Sequence, residues 1–315
     1  MIWIYNTQTD PYFNLATEEY VMTRMDRDCF MLWRNRPAVI VGKHQNTLAE
    51  INLDYIKQNN IPVVRRLSGG GAVFHDLGNL NFTFIMNDPN HQGIDYQKYT
   101  RPILEVLNQM GVPARFEGRN DLTIEGRKFS GNAIHIRQNK ILQHGTLLFA
   151  SEIKDLTQAL KVNPLKFSDK GVKSVQSRVT NISEHLQTPI TIDDFIRHII
   201  DHIRHQYPLI QEYQFTEADI RSIRELVDDK YSSWEWNFGA SPAYNLRKEF
   251  KTSAGHFEFL LQIENGIIRT IRIFGDYFGR MDIEDIEKAL TGIRHREEDV
   301  RSAVGSFKLD DYMYG

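Results

Sequence analysis

The sequence predicts an α+β fold in which a mostly antiparallel sheet is followed by a small α+β domain. Two tight hairpins follow one another in the middle of the chain, amphipathic helices come next, and a separate hairpin and helix lie near the C-terminus. A chain of 315 residues exceeds one typical compact core. We therefore expect a large domain over residues 1–245 and a small domain over residues 246–315.

The first part of the chain predicts a helix and then strands. Asp10 and Pro11 form a helix start signal, and the segment from Asn14 to Met25 contains neither Gly nor Pro. Short apolar runs at residues 30–33 and 38–41 predict strands. Residues 80–86 alternate in polarity, which predicts a strand that buries one face.

Two consecutive hairpins are predicted from tight-turn dipeptides. The dipeptides are Glu125-Gly126 and Gln138-Asn139, and each is flanked on both sides by strand-forming residues. Because hairpin strands pair with their neighbours, these two hairpins predict an antiparallel sheet. The remaining predicted elements are helices over residues 152–160, 192–206 and 217–229, a hairpin over residues 257–274, and a helix over residues 283–290.

Composition and charge exclude several classes of protein. A formal net charge of -3 gives no basic excess for binding nucleic acid. No stretch approaches the roughly eighteen apolar residues of a membrane span, and the first residues lack the pattern of a signal peptide. The single cysteine, Cys29, excludes an internal disulfide, in agreement with a reducing compartment. We expect a cytoplasmic protein with neither nucleic-acid nor membrane partners.

A glycine-rich segment, RRLSGGGAVFHD from Arg65 to Asp76, carries the first chemical signal. Three consecutive glycines lose conformational entropy on folding, so a purely structural turn rarely uses them. Without Cβ atoms, backbone N–H groups can converge on an anion, or a ligand can lie against the chain. Arg65 and Arg66 add fixed charge and forked donors suited to carboxylate or phosphate. A glycine-rich bulge with solvated arginines is the alternative interpretation.

The common nucleotide-binding loops do not fit this sequence. The P-loop is excluded because Gly42 and Lys43 are followed by His44. The dinucleotide-binding fingerprint fails because Phe74 occupies the position of its third glycine. A nucleotide site in the glycine-rich segment must therefore be of another type.

A second polar segment, GRKFSGNA over residues 126–133, lies on a predicted strand. The period of two places Lys128, Ser130 and Asn132 on one face, a polar row that a buried sheet does not choose. This face points either to water or to a ligand, and Gly131 leaves room for a ligand. An exposed lysine on a hairpin is most often a plain surface lysine.

Four segments in this order resemble the hallmarks of the lipoate-protein ligase family, within the biotin and lipoate ligase superfamily: RRLSGGGAVFHDLGN, GRNDL, GRKFSGNA and HGTLL. NLATEEY, VGKHQN, KSVQSRVTNI and WEWNFGASP are also similar to family segments. The resemblance covers essentially the whole chain, and four motifs at family-like spacing are specific. It implies a catalytic domain with the fold shared by biotin ligases and class II aminoacyl-tRNA synthetases, followed by an accessory C-terminal domain.

The resemblance also implies roles for individual residues. Lys128 matches the lysine that contacts both the α-phosphate of ATP and the acyl carboxylate, which makes it the implied catalytic residue. The implied ATP and adenylate contacts are Arg66, Gly71, Ala72, Val73, Phe74, Asn79, Asp121, Lys128 and Lys173. The implied lipoate contacts are Trp33, His75, Lys128, Ala133 and His144.

The activity implied by the resemblance is the ATP-dependent conversion of lipoate to lipoyl-AMP, followed by transfer of the lipoyl group to a lysine. The implied small substrates are lipoate or octanoate, with Mg²⁺ carried by ATP. The implied acceptors are apo lipoyl domains of 2-oxoacid dehydrogenases and the glycine cleavage H protein. We expect no metal site built from protein ligands, because His198, His202 and His205 share a helix face without the carboxylate of an HExxH motif.

Two alternative functions stay open from the sequence. Lipoyl or octanoyl transferases of the same fold pass the acyl group through a cysteine thioester, which requires a thiolate beside a base. Cys29 is the only candidate nucleophile, and it precedes an apolar strand. The other alternative is a protein that only binds lipoyl-adenylate. Loss of Lys128 or of the glycines would favour it, but all of them are present.

Overall fold

The computed structural model describes residues 1–45, 47–88, 95–160, 179–238, 246–252, 255–276, 282–295 and 297–304. The strands within these residues are β1 Ile2–Asn6, β2 Cys29–Trp33, β3 Ala38–Val41, β4 Val63–Arg65, β5 Val73–His75, β6 Asn79–Asn87, β7 Ala114–Glu117, β8 Asp121–Ile124, β9 Arg127–Arg137, β10 Lys140–Leu148, β11 Gln211–Glu212, β12 Leu246–Thr252, β13 Gly255–Glu264 and β14 Ile267–Gly275. The α-helices are α1 Pro11–Arg24, α2 Thr47–Glu50, α3 Leu53–Gln58, α4 Tyr96–Gln109, α5 Ile153–Ala159, α6 Ile192–Gln206, α7 Glu217–Leu226, α8 Trp234–Asn237, α9 Ile283–Leu290 and α10 Glu297–Val304. A 3-10 turn spans Ile182–His185, and a π-helical turn spans Val227–Tyr231.

An eight-stranded sheet forms the centre of the large domain, in the order β11-β1-β2-β6-β10-β9-β8-β7. β1 pairs in parallel with β2 and with β11, whereas the other neighbours in this sheet are antiparallel. Both predicted hairpins are present, and their turns use positive φ angles at Glu125, Gly126 and Gln138. The predicted α+β class with a mostly antiparallel sheet is confirmed.

The alternation along β6 gives the sheet two different faces. Leu80, Phe82 and Phe84 are at most 1% exposed and pack in a core that includes residues of α4 and α6. Ile85 lies on the opposite face, in a second core that α1 and α7 cover. Fully burying one such side chain stabilises the fold by about 1.5–3 kcal/mol. The sheet is therefore fixed between two helical layers.

A second, smaller sheet has the strand order β4-β3-β5. β3 pairs in parallel with β4 and antiparallel with β5. Its core contains Val39, Val41 and Phe74, which pack with residues of α3 and α5. The loop between β4 and β5 carries the three consecutive glycines. This small sheet therefore determines where the glycine loop lies.

Arg65, at the end of β4, joins this sheet to helix α8. It is 7% exposed, and burial lowers its pKa to about 10. Its guanidinium donates to oxygen atoms of Gly42, Lys43, Gln45, Thr47, Trp236 and Asn237, at 2.7–3.1 Å. These bonds occupy its donors within the protein. The expectation that both arginines serve a ligand is therefore corrected, because Arg65 stabilises the fold.

The small C-terminal domain contains a sheet in the order β12-β13-β14, covered by α9 and α10. The predicted hairpin turns at Asn265 and Gly266, both with positive φ. Leu261, Ile271 and Ile286 form part of its core. The boundary between residues 245 and 246 stays a prediction, because residues 239–245 lie outside the described part. No described helix is both long enough and apolar enough to cross a bilayer.

We predict that Arg65→Met lowers the free energy of unfolding by at least about 3 kcal/mol. The substitution leaves several buried oxygen atoms without a donor, and each such loss costs roughly 1–3 kcal/mol. Thermal and urea unfolding measure the effect. Arg221→Met, at an exposed position on α7, is the matched control and should change stability by less than about 0.5 kcal/mol. A wild-type unfolding curve for Arg65→Met contradicts the structural role.

Candidate active site

A cavity of about 320 Å³ opens between the large sheet and the glycine loop. Strands β2, β6, β9 and β10 provide one side, and the loop with β5 provides the other. Leu15 of α1 closes one part of the wall, and Asp276, just after β14, contributes to another. Small-molecule sites in proteins usually have volumes of roughly 300–1,000 Å³. The cavity is therefore large enough for a small ligand.

Most of the residues predicted to contact ligands lie together on the wall of this cavity: Trp33, Arg66, Gly71, Ala72, Val73, His75, Asp121, Lys128, Ala133 and His144. Two predicted contacts do not reach the wall. Phe74 is 3% exposed and packs in the core of the small sheet. Asn79 is fully buried and donates to Asn81 Oδ1, and it is Asn81 that lines the cavity. Lys173 lies outside the described residues.

Lys128 is held on the cavity wall by Asp121. Its Nζ lies 2.7 Å from Asp121 Oδ1, and the two side chains are 41% and 39% exposed. Gly131 provides the space, because a Cβ at that position would lie 3.0 Å from Lys128 Cε and Nζ. An ion pair this exposed contributes about 0–1 kcal/mol. Lys128 can therefore turn from Asp121 to an anionic ligand at a small cost.

Two of the three polar residues expected in a row on β9 line the cavity. The pairing of β8 with β9 shifts register between Leu122 and Thr123. Lys128 and Asn132 line the cavity, whereas Ser130 is 1% exposed and is absent from the wall. Ser130 Oγ accepts from Asn132 Nδ2 at 3.3 Å, so Ser130 shares a face with Asn132, as the period of two predicts, but does not reach the wall.

Arg66 holds the glycine loop in place. Its Nη2 donates to the carbonyl oxygens of Gly69 at 2.7 Å and Gly71 at 2.9 Å, and its Nε donates to Ser68 Oγ at 3.0 Å. Burial lowers the pKa of Arg66 to about 10, so the group remains a cation at neutral pH. Within the described parts of the chain, no ion pair to Arg66 is formed. A buried positive charge therefore lies beside the cavity.

The glycines near the cavity have different roles. Gly70 has φ 90°, a conformation that favours glycine. Gly42 contacts the loop so closely that a Cβ there would lie 2.0 Å from Gly70 O. Among the described residues, a Cβ on Gly71 would meet only Asp276 Cβ, at 3.9 Å. Gly42 and Gly70 therefore determine the shape of the loop, whereas Gly71 leaves open space in the cavity.

A buried hydrogen-bond chain orients two residues of the predicted acyl channel. Trp33 Nε1 donates to Thr83 Oγ1 at 3.0 Å, and Thr83 Oγ1 donates to Glu18 Oε1 at 2.6 Å. Glu18 also accepts from His144 Nδ1 at 2.9 Å, and His144 Nε2 lies 2.6 Å from Ser68 Oγ. The sequence did not predict roles for Glu18, Thr83 or Ser68. The family-like NLATEEY segment, which contains Glu18, was the available signal.

Two buried polar atoms on the cavity wall lack a hydrogen-bond partner in the described structure. They are His75 Nε2 and Asn132 Oδ1, on side chains that are 3% exposed. Burial, with the nearby charge of Arg66, lowers the pKa of His75 to about 3, so its ring is neutral at neutral pH. An unsatisfied buried polar group costs about 1–3 kcal/mol. Both atoms therefore keep unused hydrogen-bonding capacity beside the cavity.

Two family models match the chain. The lipoyl protein ligase A/B catalytic domain matches residues 10–204, and the bacterial lipoate protein ligase C-terminus matches residues 241–315. The sequence is 43% identical to lipoate-protein ligase 1 of Staphylococcus aureus, over 98% of this chain and 94% of that one. It is 41% identical to a lipoate-protein ligase of Bacillus subtilis, over 99% and 96%. The chain therefore belongs to the lipoate-protein ligase family, whose members are ATP-dependent, AMP-forming ligases.

Solved structures agree with this assignment. Plasmodium falciparum LipL1 in complex with lipoate has a TM-score of 0.79 and 25% identity, over 98% of this chain and 94% of that one. A lipoate-protein ligase A bound with ATP has a TM-score of 0.64 and 27% identity, over 76% and 98%. The predicted fold class and the predicted family are confirmed, as is the prediction of an enzyme of this class.

We predict that Gly71→Ala preserves the thermal transition but weakens binding of ATP or lipoyl-adenylate at least tenfold, about 1.4 kcal/mol. The added methyl group meets no atom of the described residues closer than 3.9 Å, yet it occupies space on the cavity wall. Calorimetric titration beside a melting curve tests both parts. Gly42→Ala is the contrasting variant and should destabilise the protein, because its Cβ collides with Gly70 O. If Gly71→Ala binds normally and melts early, Gly71 serves the turn.

Proposed function

We propose that this protein converts lipoate and ATP to lipoyl-AMP and then transfers the lipoyl group to a lysine of an acceptor protein. The observation that carries the proposal is the position of Lys128, a movable cation on the wall of the cavity that also contains Arg66 and Gly71. Two related proteins support the choice of substrates. One was crystallised in complex with lipoate and the other with ATP.

The cavity offers different surroundings to the two substrates. Leu15, Trp33, Ile40 and Val73 give it apolar wall suited to the hydrocarbon chain of lipoate. The glycine loop, with its buried Arg66, offers an electropositive surface to phosphate groups. We therefore assign the apolar part to the acyl chain and the loop to the nucleotide.

Lys128 is the group that would bring the reacting anions together. In the first half-reaction, an oxygen of the lipoate carboxylate attacks the α-phosphorus of ATP, and pyrophosphate leaves. Both reactants are negatively charged and repel each other, and more negative charge develops on the phosphoryl oxygens in the transition state. An ammonium between carboxylate and phosphate offsets this repulsion. Removing a comparable electrostatic donor typically lowers the rate about a hundredfold to a thousandfold.

Magnesium would enter with ATP. Mg²⁺ is usually held by substrate phosphates together with one or two carboxylates, and it neutralises phosphate charge. Asp121 and Asp276 are the carboxylates on the cavity wall. Among the described residues, no cluster of three His, Cys, Asp or Glu side chains could hold a metal ion alone. This donor set fits an ion carried by the nucleotide, with Asp121 as the protein ligand when Lys128 leaves it.

The second half-reaction needs a lysine from another protein. We propose apo lipoyl domains of 2-oxoacid dehydrogenases and the glycine cleavage H protein as acceptors. A related bipartite ligase from Thermoplasma acidophilum was studied with its E2 lipoyl domain, and it has a TM-score of 0.66 and 30% identity over 78% of this chain. The acceptor amine attacks the acyl carbon of lipoyl-AMP, and AMP leaves. No protein nucleophile is required for this step.

The alternative thioester mechanism lacks a usable nucleophile. Cys29 is fully buried in the core between the large sheet and α1, and it is absent from the cavity wall. Burial raises the pKa of its thiol to about 12, so little thiolate exists at neutral pH. A protein that only binds lipoyl-adenylate has no need of a movable cation on the cavity wall, whereas this protein has Lys128 there. Both observations favour the ligase.

We predict that Lys128→Ala folds normally but loses at least about 99% of lipoate-dependent pyrophosphate release. The side chain is 41% exposed and contributes little packing, whereas its charge acts in the transition state. The assay contains ATP and lipoate without an acceptor, beside a thermal melt. Lys57→Ala, at an exposed position on α3, is the matched control and should keep wild-type activity. A Lys128→Ala enzyme with more than about a tenth of wild-type release refutes the assigned role.

We also predict that Cys29→Ser, although buried, keeps lipoyl transfer to an apo lipoyl domain. The thiol is not needed if the acyl group stays on AMP until the acceptor amine attacks. Intact-mass measurement of the acceptor reports the transfer, and a melting curve shows whether the hydroxyl disturbs the core. A folded but inactive Cys29→Ser protein favours the thioester transferase instead.

A further inference from the structure

We infer that His75 is a neutral hydrogen-bond donor to the carbonyl oxygen of the bound acyl group, and that Asn35 and Asn14 keep its proton on Nε2. This inference rests on the proposed function and deepens it. His75 would touch the reacting group and is therefore a further catalytic residue. Asn35 and Asn14 act through His75 and are positioning residues.

The first observation is the unpartnered nitrogen of His75. Its Nε2 is buried without a partner in the described structure, although the ring lies on the cavity wall. Its other nitrogen, Nδ1, lies 3.1 Å from Asn35 Nδ2. One ring nitrogen of a neutral histidine donates and the other accepts. Whichever role Nδ1 takes, Nε2 must offer the opposite role to the ligand.

A chain of amide contacts decides which nitrogen carries the proton. Asn14 Nδ2 lies 2.9 Å from the backbone carbonyl oxygens of Gln8 and Arg34, which can only accept. The amide nitrogen of Asn14 must therefore occupy this position, and its two hydrogens are shared among these two carbonyls and Asn35 Oδ1, which lies 2.8 Å away. With Oδ1 so placed, Asn35 presents its NH₂ group to His75 Nδ1. Nδ1 must accept, so the proton is on Nε2.

Burial makes this arrangement rigid. Asn14 and Asn35 are fully buried, and Asn6 Nδ2 donates to the Oδ1 of Asn14 at 2.8 Å. Reversing either amide would place an NH₂ group against another donor, or a carbonyl oxygen against a carbonyl oxygen. Each mismatch leaves buried groups unsatisfied, at about 1–3 kcal/mol per group. The tautomer of His75 is therefore determined before any ligand binds.

The acyl carbonyl oxygen is the acceptor that fits this donor. The carboxyl oxygens are the only oxygen atoms of lipoate, and His75 lies beside the apolar part of the wall, with its ring centroid 5.9 Å from that of Trp33. Arg66 uses Nη2 and Nε on Gly69, Gly71 and Ser68. Lys128 is assigned to the phosphate and the attacking carboxylate. Nε2 of His75, which lacks a partner in the described structure, is the donor that we assign to the carbonyl oxygen.

This donor would act most strongly in the transfer step. The amine nitrogen of the acceptor lysine forms a bond to the acyl carbon, and the carbonyl oxygen gains negative charge. The carbonyl double bond then re-forms, and the bond from the acyl carbon to the phosphate oxygen breaks. AMP leaves with the electron pair of the broken bond. The amine proton passes to water. A neutral imidazole N–H can stabilise the transient oxyanion without giving up its proton.

Nitrogen NMR of isotope-labelled histidine tests the tautomer directly in the wild-type protein. The His75 signals are assigned by comparison with the spectrum of His75→Gln. We expect a protonated Nε2 and a bare Nδ1 throughout the neutral pH range. A proton on Nδ1, or a mixture of the two tautomers, overturns the inference. This measurement does not depend on any enzymatic activity.

Kinetics of two substitutions test the donor. Transfer from supplied lipoyl-AMP to an apo lipoyl domain is followed in a single turnover, so adenylate formation is bypassed. His75→Gln keeps an N–H near the position of Nε2 and should stay within about tenfold of wild type. His75→Asn cannot reach that position and should be about a hundredfold slower, with a smaller change in lipoyl-AMP affinity. His198→Asn, at an exposed position on α6, is the control.

The pH dependence of Asn35→Asp tests the positioning role. The new carboxylate can still accept from Asn14, but it cannot donate to Nδ1, so Nδ1 should bind a proton. The pKa of His75 should rise from about 3, because a carboxylate opposes the effects of burial and of the neighbouring side chains of Arg66 and His144. Below the raised pKa the imidazolium still donates from Nε2. Above it the proton stays on Nδ1, Nε2 has no proton, and transfer should slow as pH rises.

The results separate this inference from the proposed function. Wild-type protein that makes no lipoyl-AMP and transfers none refutes the proposed function, whatever the NMR spectrum shows. Wild-type protein that does both, with His75→Asn as fast as wild type, refutes only the role of His75. An Asn35→Asp variant that folds and shows the wild-type pH profile refutes the positioning role. If that variant does not fold, the wild-type NMR spectrum decides the tautomer.

Discussion

The buried positive charge of Arg66 is the constraint on which the site depends. Removing a cation from water costs several kcal/mol unless an anion or well-placed acceptors compensate it. Here the acceptors are Ser68 Oγ and the carbonyl oxygens of Gly69 and Gly71, so stabilising the charge also shapes the glycine loop. The remaining compensation can come from a bound phosphate. In the proposed function, one side chain thus links the folding of the loop to the binding of the nucleotide.

Neighbouring arginines serve two different ends in this structure. Arg65 donates to protein oxygens and joins β4 to α8. Arg66, the next residue, lies on the cavity wall. The same division applies to the glycines, because Gly42 permits close packing and Gly71 leaves space for a ligand. In the proposed function, rigid groups surround the acyl chain, and Lys128 is a movable cation on the cavity wall. This combination suits a site that must align two anions and then admit an amine.

The sequence predicted the features that local physics determines. The turn dipeptides at residues 125–126 and 138–139 placed both hairpins, and the alternation along β6 placed its buried face. It did not predict β1, whose parallel pairing with β2 depends on distant parts of the chain. It also missed Glu18, because a carboxylate on a helix shows no partner in sequence, and here the partner is His144, 126 positions away. Side-chain hydrogen bonds of this range follow from the tertiary fold alone.

The central claim is that a carboxylate oxygen of lipoate attacks the α-phosphorus of ATP in the cavity between the glycine loop and Lys128. It is tested most directly with lipoate whose carboxyl oxygens carry a heavy isotope. After lipoylation of an apo lipoyl domain, mass spectrometry of the released AMP follows the label. If the acyl-adenylate forms, one heavy oxygen bridges the acyl carbon and the phosphorus. When the amine attacks the carbon, the bond between carbon and this oxygen breaks, so each AMP carries one heavy oxygen. Unlabelled AMP released beside a lipoylated acceptor contradicts the account.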